Sequence, residues 1–124
     1  MATNHHLGDL QHAIMEVLWQ RGEASAADVH TALYEPRRLA PTTVSTMLTK
    51  MEKKGVIAFR KDGRRFIYRP LIDRDQVRTS MVGELTHRLF DGRAAAMVSH
   101  LLSEHNIDAD ELEALKAMIE KMEE

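Results

Sequence analysis

The chain has 124 residues, of which 44% are hydrophobic and 29% are charged, and it contains no cysteine. These values are typical of one small globular domain with a short appendage. The lack of cysteine excludes disulfides, thiol catalysis and thiolate metal sites. No apolar run approaches the roughly 18 residues that a membrane span needs, and no secretory signal is visible at the N-terminus. We therefore expect a cytoplasmic protein without membrane insertion.

The net charge of −2 conceals a strong local imbalance. Residues 37–69 carry ten Lys or Arg against two acidic residues, whereas residues 104–124 carry two against eight. A basic block inside a mildly acidic chain is typical of a surface that binds phosphates. By itself the block is also compatible with a plain solvated basic surface.

The first part of the chain predicts two helices. Residues 1–6 are expected to form a loose leader. Apolar residues at helical spacing predict a first helix that begins at Leu7 and ends before Gly22. A second helix is predicted over Ala26–Tyr34, and Pro36 is expected to stop it.

A third helix and a hairpin are predicted next. The helix starts at Pro41, a position where proline is tolerated, and ends near Lys54, before Gly55. Two short β-prone runs follow, Val56–Arg60 and Phe66–Arg69. The Asp-Gly pair between them predicts a tight turn.

After Pro70 the pattern predicts three more helices, over about 73–90, 94–104 and from 109 to the end. The last of them is strongly charged but carries an apolar stripe with the alternating three- and four-residue spacing of a coiled coil. The predicted fold is therefore mainly α with a small β-hairpin wing. Residues 1–71 are expected to form a winged helix-turn-helix domain and residues 72–124 a C-terminal helical dimerisation domain.

The third helix and the hairpin carry the residues expected to contact DNA. A recognition helix needs an apolar face that anchors it and a face of short polar groups that can approach base edges. The predicted base contacts are Thr42, Thr43, Ser45 and Thr46. The predicted phosphate and wing contacts are Lys50, Lys53, Arg64 and Arg65.

Parts of the sequence are also compatible with functions other than DNA binding. The hydroxyl cluster alone is equally compatible with an ordinary helix start, and a winged helix can bind only protein. The spacing of the histidines and methionines is typical of surface, core or interface positions, so no metal and no cofactor are expected. No motif of an enzyme is present. The alternatives are a ligand-responsive winged-helix regulator and a protein-interaction module that does not bind DNA.

The chain resembles the penicillinase repressor (BlaI/MecI) family in the segments LGDLQHAIMEVLW, AADVHTAL, APTTVSTMLTKMEKKGVI, RKDGRRFIYRP and RLFDGRAAAMVSHLLSE. The resemblance implies a homodimeric transcriptional repressor that binds a palindromic operator with TACA/TGTA-type half-sites and controls antibiotic-resistance or stress genes. The family's base-facing positions fall on Thr42, Thr43 and Thr46 of this chain, and the family's wing contacts fall on Arg64 and Arg65. The expected dimer interface consists of Leu101, Leu102, Leu112, Leu115, Ile119 and Met122.

The chain also departs from the family pattern. Ala40 stands where many relatives have a capping Ser, so the third helix is expected to lack that bond. The cysteines of copper-sensing relatives are absent, which excludes copper sensing by thiolates. In inducible members a membrane sensor protease acts upstream and an Asn-Phe bond is cut. The aligned region here lies at His100 and Leu101, so a cut at this place requires a different specificity.

Overall fold

The structure is a computed structural model that describes residues 7–124, so the leader predicted over residues 1–6 lies outside the described residues. Along the described chain the elements are α1 (Asp9–Arg21), β1 (Ala24–Ser25), α2 (Ala26–Arg37), α3 (Pro41–Lys54), β2 (Ile57–Asp62), β3 (Arg65–Pro70), α4 (Arg74–Phe90), α5 (Ala94–Glu104) and α6 (Ala109–Met122). The mainly helical architecture with a small antiparallel sheet confirms the predicted winged-helix fold class.

The chain divides into two compact units, the first ending at Val82 and the second running from Gly83 to Glu124. The boundary predicted from the sequence lies after residue 71, just before α4. The first turns of α4 contribute Val77 to the buried core of the first unit, and α4 continues without a break into the second. None of the helices within residues 7–124 is both long and apolar enough to cross a membrane.

The second helix is longer than predicted. α2 includes Pro36 and ends at Arg37, so the expectation that Pro36 stops it is wrong. Pro36 has no N–H to donate to the carbonyl of Ala32, so the helix lacks one bond there, but only one residue follows it before the helix ends. The helix closes at Arg38, whose φ is 51° and whose N–H donates to the carbonyl of Tyr34 at 2.7 Å.

A short strand, β1, was missing from the predicted elements. It pairs with β3, so the sheet order is β1-β3-β2 and β3 is central. Ser25 belongs to β1 and also caps α2: its hydroxyl accepts the N–H of Asp28, and the Asp28 carboxylate accepts the N–H of Ser25, each at 3.1 Å. This capping box joins the sheet to the start of α2.

The predicted hairpin is confirmed as the wing formed by β2 and β3. Asp62 pairs with Arg65, which leaves Gly63 and Arg64 as a two-residue loop. Gly63 has a φ of 64°, and glycine adopts such a positive φ at the first position of a tight hairpin loop without steric cost. Arg64 is consequently presented at the tip of the wing.

The core of the first unit is built from α1, α2, α3 and the sheet. Its largest fully buried side chains are Ile14, Met15, Leu18, Val29, Val44, Leu48, Met51 and Ile57. Full burial of such a side chain stabilises the fold by roughly 1.5–3 kcal/mol. Three of these residues lie on α3, so this helix is anchored by one face and leaves the opposite face exposed.

The second unit has no such core. Among residues 83–124, all of which the structure describes, none is buried. Asp108 caps the start of α6, because its carboxylate accepts the N–H of Glu111 at 2.8 Å. The large apolar side chains of α5 and α6 that remain exposed are Val98, Leu101, Leu102, Leu112, Met118, Ile119 and Met122. The apolar side chains of α5 and α6 are therefore largely uncovered in the single chain.

Candidate nucleic-acid interface

The side chains along the exposed face of α3 are hydroxyls and lysines. With 100° between successive residues, the side chains at positions 42, 43, 45, 46, 49, 50 and 53 fall within an arc of about 160°. All of these residues are exposed. Thr42 and Thr46 lie in the middle of the arc, Ser45 at one edge and Thr43 at the other. The buried residues Val44, Leu48 and Met51 occupy the opposite side.

The hydroxyls of this face differ in what they bind. The Thr49 hydroxyl donates to the carbonyl of Ser45 on its own helix at 3.0 Å. In the part of the chain that the structure describes, the hydroxyls of Thr42, Thr43 and Thr46 have no such partner. As predicted, Ala40 gives the helix start no side-chain cap. Short side chains whose hydroxyls are not already engaged can donate to or accept from base edges.

Two contacts from other helices fix the position of α3. A ring nitrogen of His30 on α2 donates to the carbonyl of Leu39 at 2.8 Å, which holds the turn immediately before α3. The side-chain amide of Gln11 on α1 donates to the Met47 sulfur at 3.4 Å. Together with the buried face, these contacts present the polar arc as part of a rigid surface.

A cleft of about 360 Å³ lies between α3, the wing and the start of α2. Ser45 and Thr49 line it from α3, and Arg64 and Arg65 line it from the wing. The rest of the lining is Ser25, Ala26, Ala27, Phe66 and Tyr68. The cleft therefore combines hydroxyls, two guanidinium groups and the N-terminal turn of a helix, which are all groups that interact favourably with anions.

Several cations of the basic block pair with acidic residues of the first unit. Arg60 donates to both oxygens of Glu23, at 2.7 and 3.3 Å. Arg37 donates to Asp9 at 2.9 Å. These bonds lower the pKa of the Glu23 and Asp9 carboxyls, so both pairs are ionised at neutral pH. Arg65 contacts Asp62 at 3.3 Å, but both side chains are more than half exposed, and such a pair is weak and easily exchanged.

Tyr68 is the most buried aromatic side chain that lines the cleft. Its burial raises the pKa of the phenol, and the nearby charge of Glu52 raises it further. The side chain therefore stays neutral at physiological pH and does not repel an anion. Phe66 packs beside it on the same face of the wing, with Phe59 at a ring-centroid distance of 4.6 Å from Phe66.

The structure places all the residues predicted for DNA contact on one side of the first unit. Ser45, Arg64 and Arg65 meet in the cleft, and the others lie along the same exposed arc of α3: Thr42, Thr43, Thr46, Lys50 and Lys53. Sequence analysis did not include Thr49, Phe66 and Tyr68 among the site residues. Thr49 lies four residues after Ser45, so helical spacing alone places it on the same face of α3. The position of the two aromatic residues in the cleft follows only from the register of β3.

The residues predicted for a dimer interface are exposed or half-buried in the second unit. Leu115 is half-buried, and the exposed members are Leu101, Leu102, Leu112, Ile119 and Met122. His100 and Leu101, the predicted proteolytic region, lie inside α5. The His100 ring lies 5.8 Å from that of Phe90 and 6.1 Å from that of His105, centroid to centroid. Over residues 7–124 no group of three or more His, Cys, Asp or Glu is arranged to hold a metal ion.

The chain is similar to known transcriptional repressors. The family model described as penicillinase repressor matches residues 7–121. The transcriptional regulator BlaI of Mycobacterium tuberculosis is 36% identical over 125 residues, which cover 99% of this chain and 89% of that protein. The penicillinase repressor of Bacillus licheniformis is 26% identical over 93% of this chain and 90% of its own.

One solved structure extends the comparison to the fold. The solution structure of the DNA binding domain of the repressor BlaI is 30% identical, with a TM-score of 0.54, and covers 61% of this chain and 93% of that one. The family consists of transcriptional repressors, which are not enzymes. Because the family model spans nearly the whole chain, the protein belongs to the penicillinase repressor family of winged-helix transcriptional regulators.

Proposed function

We propose that this protein is a homodimeric repressor that binds a palindromic operator through α3 and the wing. The observation that carries the proposal is the position of two wing arginines beside an exposed arc of hydroxyls and lysines, on a helix whose other face is buried. An α-helix of this kind fits the major groove, where short polar side chains reach base edges. The proposal also draws on the similarity to the DNA binding domain of the repressor BlaI.

Residues at different positions of the arc are proposed to contact different parts of the DNA. Thr42 and Thr46, in the middle of the arc, are proposed to face the bases, with Thr43 and Ser45 on either side. A threonine can also place its methyl group against the methyl of thymine. Lys50 and Lys53 lie further along the helix, and their longer side chains are proposed to bind phosphates.

The wing is proposed to hold the flanking backbone. Arg64 at the tip of the hairpin and Arg65 next to it line the cleft, where a phosphate would meet both guanidinium groups. Arginine binds phosphate through two parallel N–H bonds, which fixes orientation as well as adding affinity. The exposed pair between Arg65 and Asp62 would then open in favour of the phosphate, because an exposed ion pair contributes little.

Dimerisation is proposed to occur through the C-terminal helices. The second unit exposes large apolar side chains and buries no residue of its own. A second copy would cover them, since most soluble oligomers are two-fold symmetric. A two-fold dimer matches a palindrome, with its half-sites one or more helical turns apart. By analogy with its relatives, we propose that the operator controls antibiotic-resistance or stress genes.

Release from the operator is proposed to follow loss of the dimer. Two linked heads bind one palindrome more tightly than either alone by a factor of roughly 10²–10⁴. A sensor protease acting upstream could remove this advantage by cutting near His100 and Leu101. Since both residues lie inside α5, the helix must unwind locally before the peptide bond enters a protease.

Replacement of Thr46 by alanine tests the base-reading role of the arc. In a dimer this change removes one contact from each half-site, so we expect roughly 2 kcal/mol of lost binding, or about 30-fold, at about 1 kcal/mol per neutral contact. The loss should fall on the operator and spare binding to unrelated DNA. The measurement is a titration of both duplexes by fluorescence anisotropy.

The matched control is Thr79→Ala, which removes an exposed helical threonine from α4 instead of α3. It should bind both duplexes as the wild type does. If Thr46→Ala and Thr79→Ala bind the operator equally well, Thr46 does not read the sequence. A uniform loss on both duplexes would instead make it a backbone contact.

A further inference from the structure

The cleft between α3 and the wing has an aromatic side as well as a cationic one. Phe66 and Tyr68 are two residues apart on β3, so their side chains point to the same face of the sheet, and both line the cleft. Phe66 is 42% exposed, whereas Tyr68 is buried. We call these two residues the aromatic wall. Binding of a phosphate requires the guanidinium groups and leaves the aromatic wall without a role.

The ring of Phe66 is supported by side chains of the neighbouring strand. The ring of Phe59 lies 4.6 Å from it, centroid to centroid, and the ammonium group of Lys61 lies 5.8 Å from its centroid. Both residues belong to β2, which pairs with β3 along its whole length. The exposed part of the Phe66 ring is therefore held in place before any ligand arrives, which reduces the entropic cost of binding.

The cationic side of the cleft is formed by Arg64 and Arg65. Among the described residues that line the cleft, none is acidic. Two carboxylates lie nearby without lining it. Asp62 contacts Arg65 at 3.3 Å in an exposed pair, which another anion can replace, and the Asp28 carboxylate accepts the N–H of Ser25 at 3.1 Å. The lining thus offers an anion two guanidinium groups and no repelling charge.

We infer that the cleft is a binding site for small aromatic carboxylates, and that such a ligand displaces the DNA phosphate from the wing. The inference rests on the proposed binding of operator DNA by Arg64 and Arg65. The ring of the ligand would pack against Phe66, and its carboxylate would accept two parallel N–H bonds from a guanidinium group. The cleft of about 360 Å³ falls within the range of small-molecule sites, roughly 300–1,000 Å³. Because a guanidinium group cannot bind the ligand and a phosphate in this way at once, the ligand would lower the affinity for the operator.

The first test measures ligand binding by the full chain in the absence of DNA. The probe is 4-fluorobenzoate, followed by fluorine NMR, and we expect saturable binding with a Kd of roughly 1 mM or below. Phe66→Leu keeps an apolar side chain but removes the aromatic face, so it should bind the probe about fivefold more weakly or worse. The double variant Arg64→Gln and Arg65→Gln should weaken binding at least tenfold. Cyclohexanecarboxylate, which has the same charge but no aromatic face, should compete at least threefold less well than benzoate.

The matched control is Tyr34→Leu. Tyr34 on α2 is also 42% exposed, and the guanidinium group of Arg38 lies 5.2 Å from its ring centroid, but neither residue lines the cleft. This variant should bind 4-fluorobenzoate as the wild type does. A loss of binding as large as that of Phe66→Leu would overturn the assignment to the cleft. Unchanged binding in both Phe66→Leu and the double arginine variant would overturn it as well.

The second test measures the effect of the ligand on the operator complex. The palindromic duplex is titrated in 4-fluorobenzoate at twice its wild-type Kd and, at equal ionic strength, in acetate. With one ligand on each of the two heads, mass action predicts about a ninefold loss of wild-type affinity relative to acetate, and about a twofold loss for Phe66→Leu. Each variant is compared with its own affinity in acetate, so any effect of the substitution on DNA binding itself cancels.

The outcomes separate this inference from the proposed function. Equal wild-type affinity for the operator in 4-fluorobenzoate and in acetate would overturn the displacement of DNA by the ligand, while leaving the dimeric repressor intact. A wild type that binds neither the palindromic nor a scrambled duplex in acetate refutes the proposed function. Binding of 4-fluorobenzoate that depends on Phe66 and the two arginines would still support the aromatic carboxylate site in that case.

Discussion

Replacement of Ile119 by aspartate is expected to give a monomer that binds the palindromic operator at least 100-fold more weakly than the wild type. Ile119 is 53% exposed in the single chain and lies in the apolar stripe of α6. A charge in this stripe would be buried without a partner at a two-fold interface, and it would face its own copy. Loss of the dimer removes the gain of roughly 10²–10⁴ that comes from linking two heads.

Sedimentation equilibrium and operator titration measure this result together. The matched control is Ala117→Asp, which places the same charge on the exposed opposite face of α6. It should remain dimeric and bind normally. A dimeric Ile119→Asp variant with normal operator affinity would show that the seam lies elsewhere, for example on the exposed residues Val82, Leu85 and Leu89 of α4.

Simultaneous replacement of Arg64 and Arg65 by alanine should weaken binding by two or more orders of magnitude at low salt. The proposed dimer would have two wings, so the double variant would remove up to four charged contacts, each of which contributes roughly 1.5–3 kcal/mol when well formed. The slope of log affinity against log salt should fall by roughly 3 to 4, at about 0.9 per phosphate contact. The preference for operator over unrelated DNA should be retained, because phosphate contacts carry little sequence information.

Arg60→Ala is the matched control for the wing. Arg60 lies on the same hairpin but is held by both oxygens of Glu23, so its removal should change the salt slope far less. A double Arg64 and Arg65 variant with an unaltered salt slope would mean that the wing does not touch the backbone. The proposed contact to DNA would then be confined to α3.

Local sequence signals were sufficient to predict α3 and the wing. Pro41 at the helix start, Gly55 at its end and the Asp62-Gly63 pair each impose a backbone geometry that does not depend on distant residues. The alternation of buried and exposed positions along α3 likewise follows from its period alone. These features define the element that carries most of the candidate site.

The features that sequence analysis missed depend on tertiary contacts. β1 has two residues, too few for any periodic pattern, and exists because it pairs with β3. Pro36 was expected to end α2, but the helix continues through it for one more residue, to Arg37. The aromatic wall of the cleft depends on strand register, and the contact between Trp19 and Arg74 joins residues 55 positions apart in the sequence.

The number of cations in the basic block does not show which of them are paired with acidic residues. The basic block of residues 37–69 points to a phosphate-binding surface, but Arg37 and Arg60 are held by the acidic residues Asp9 and Glu23. Both acids lie outside the block in the sequence, so a window count could not pair them. The cations of the block that we propose to bind phosphates are Lys50 and Lys53 of α3 and Arg64 and Arg65 of the wing.

The most direct test of the central claim is a salt series of wild-type binding to a palindromic TACA–TGTA duplex and to a scrambled duplex of equal length. We predict that two protomers bind the palindrome, with an affinity at least 10³ higher than for the scrambled duplex at physiological salt and a steep salt dependence. Equal, weak binding to both duplexes would contradict base reading at these half-sites. Absence of binding to either duplex at low salt would contradict the DNA-binding role itself.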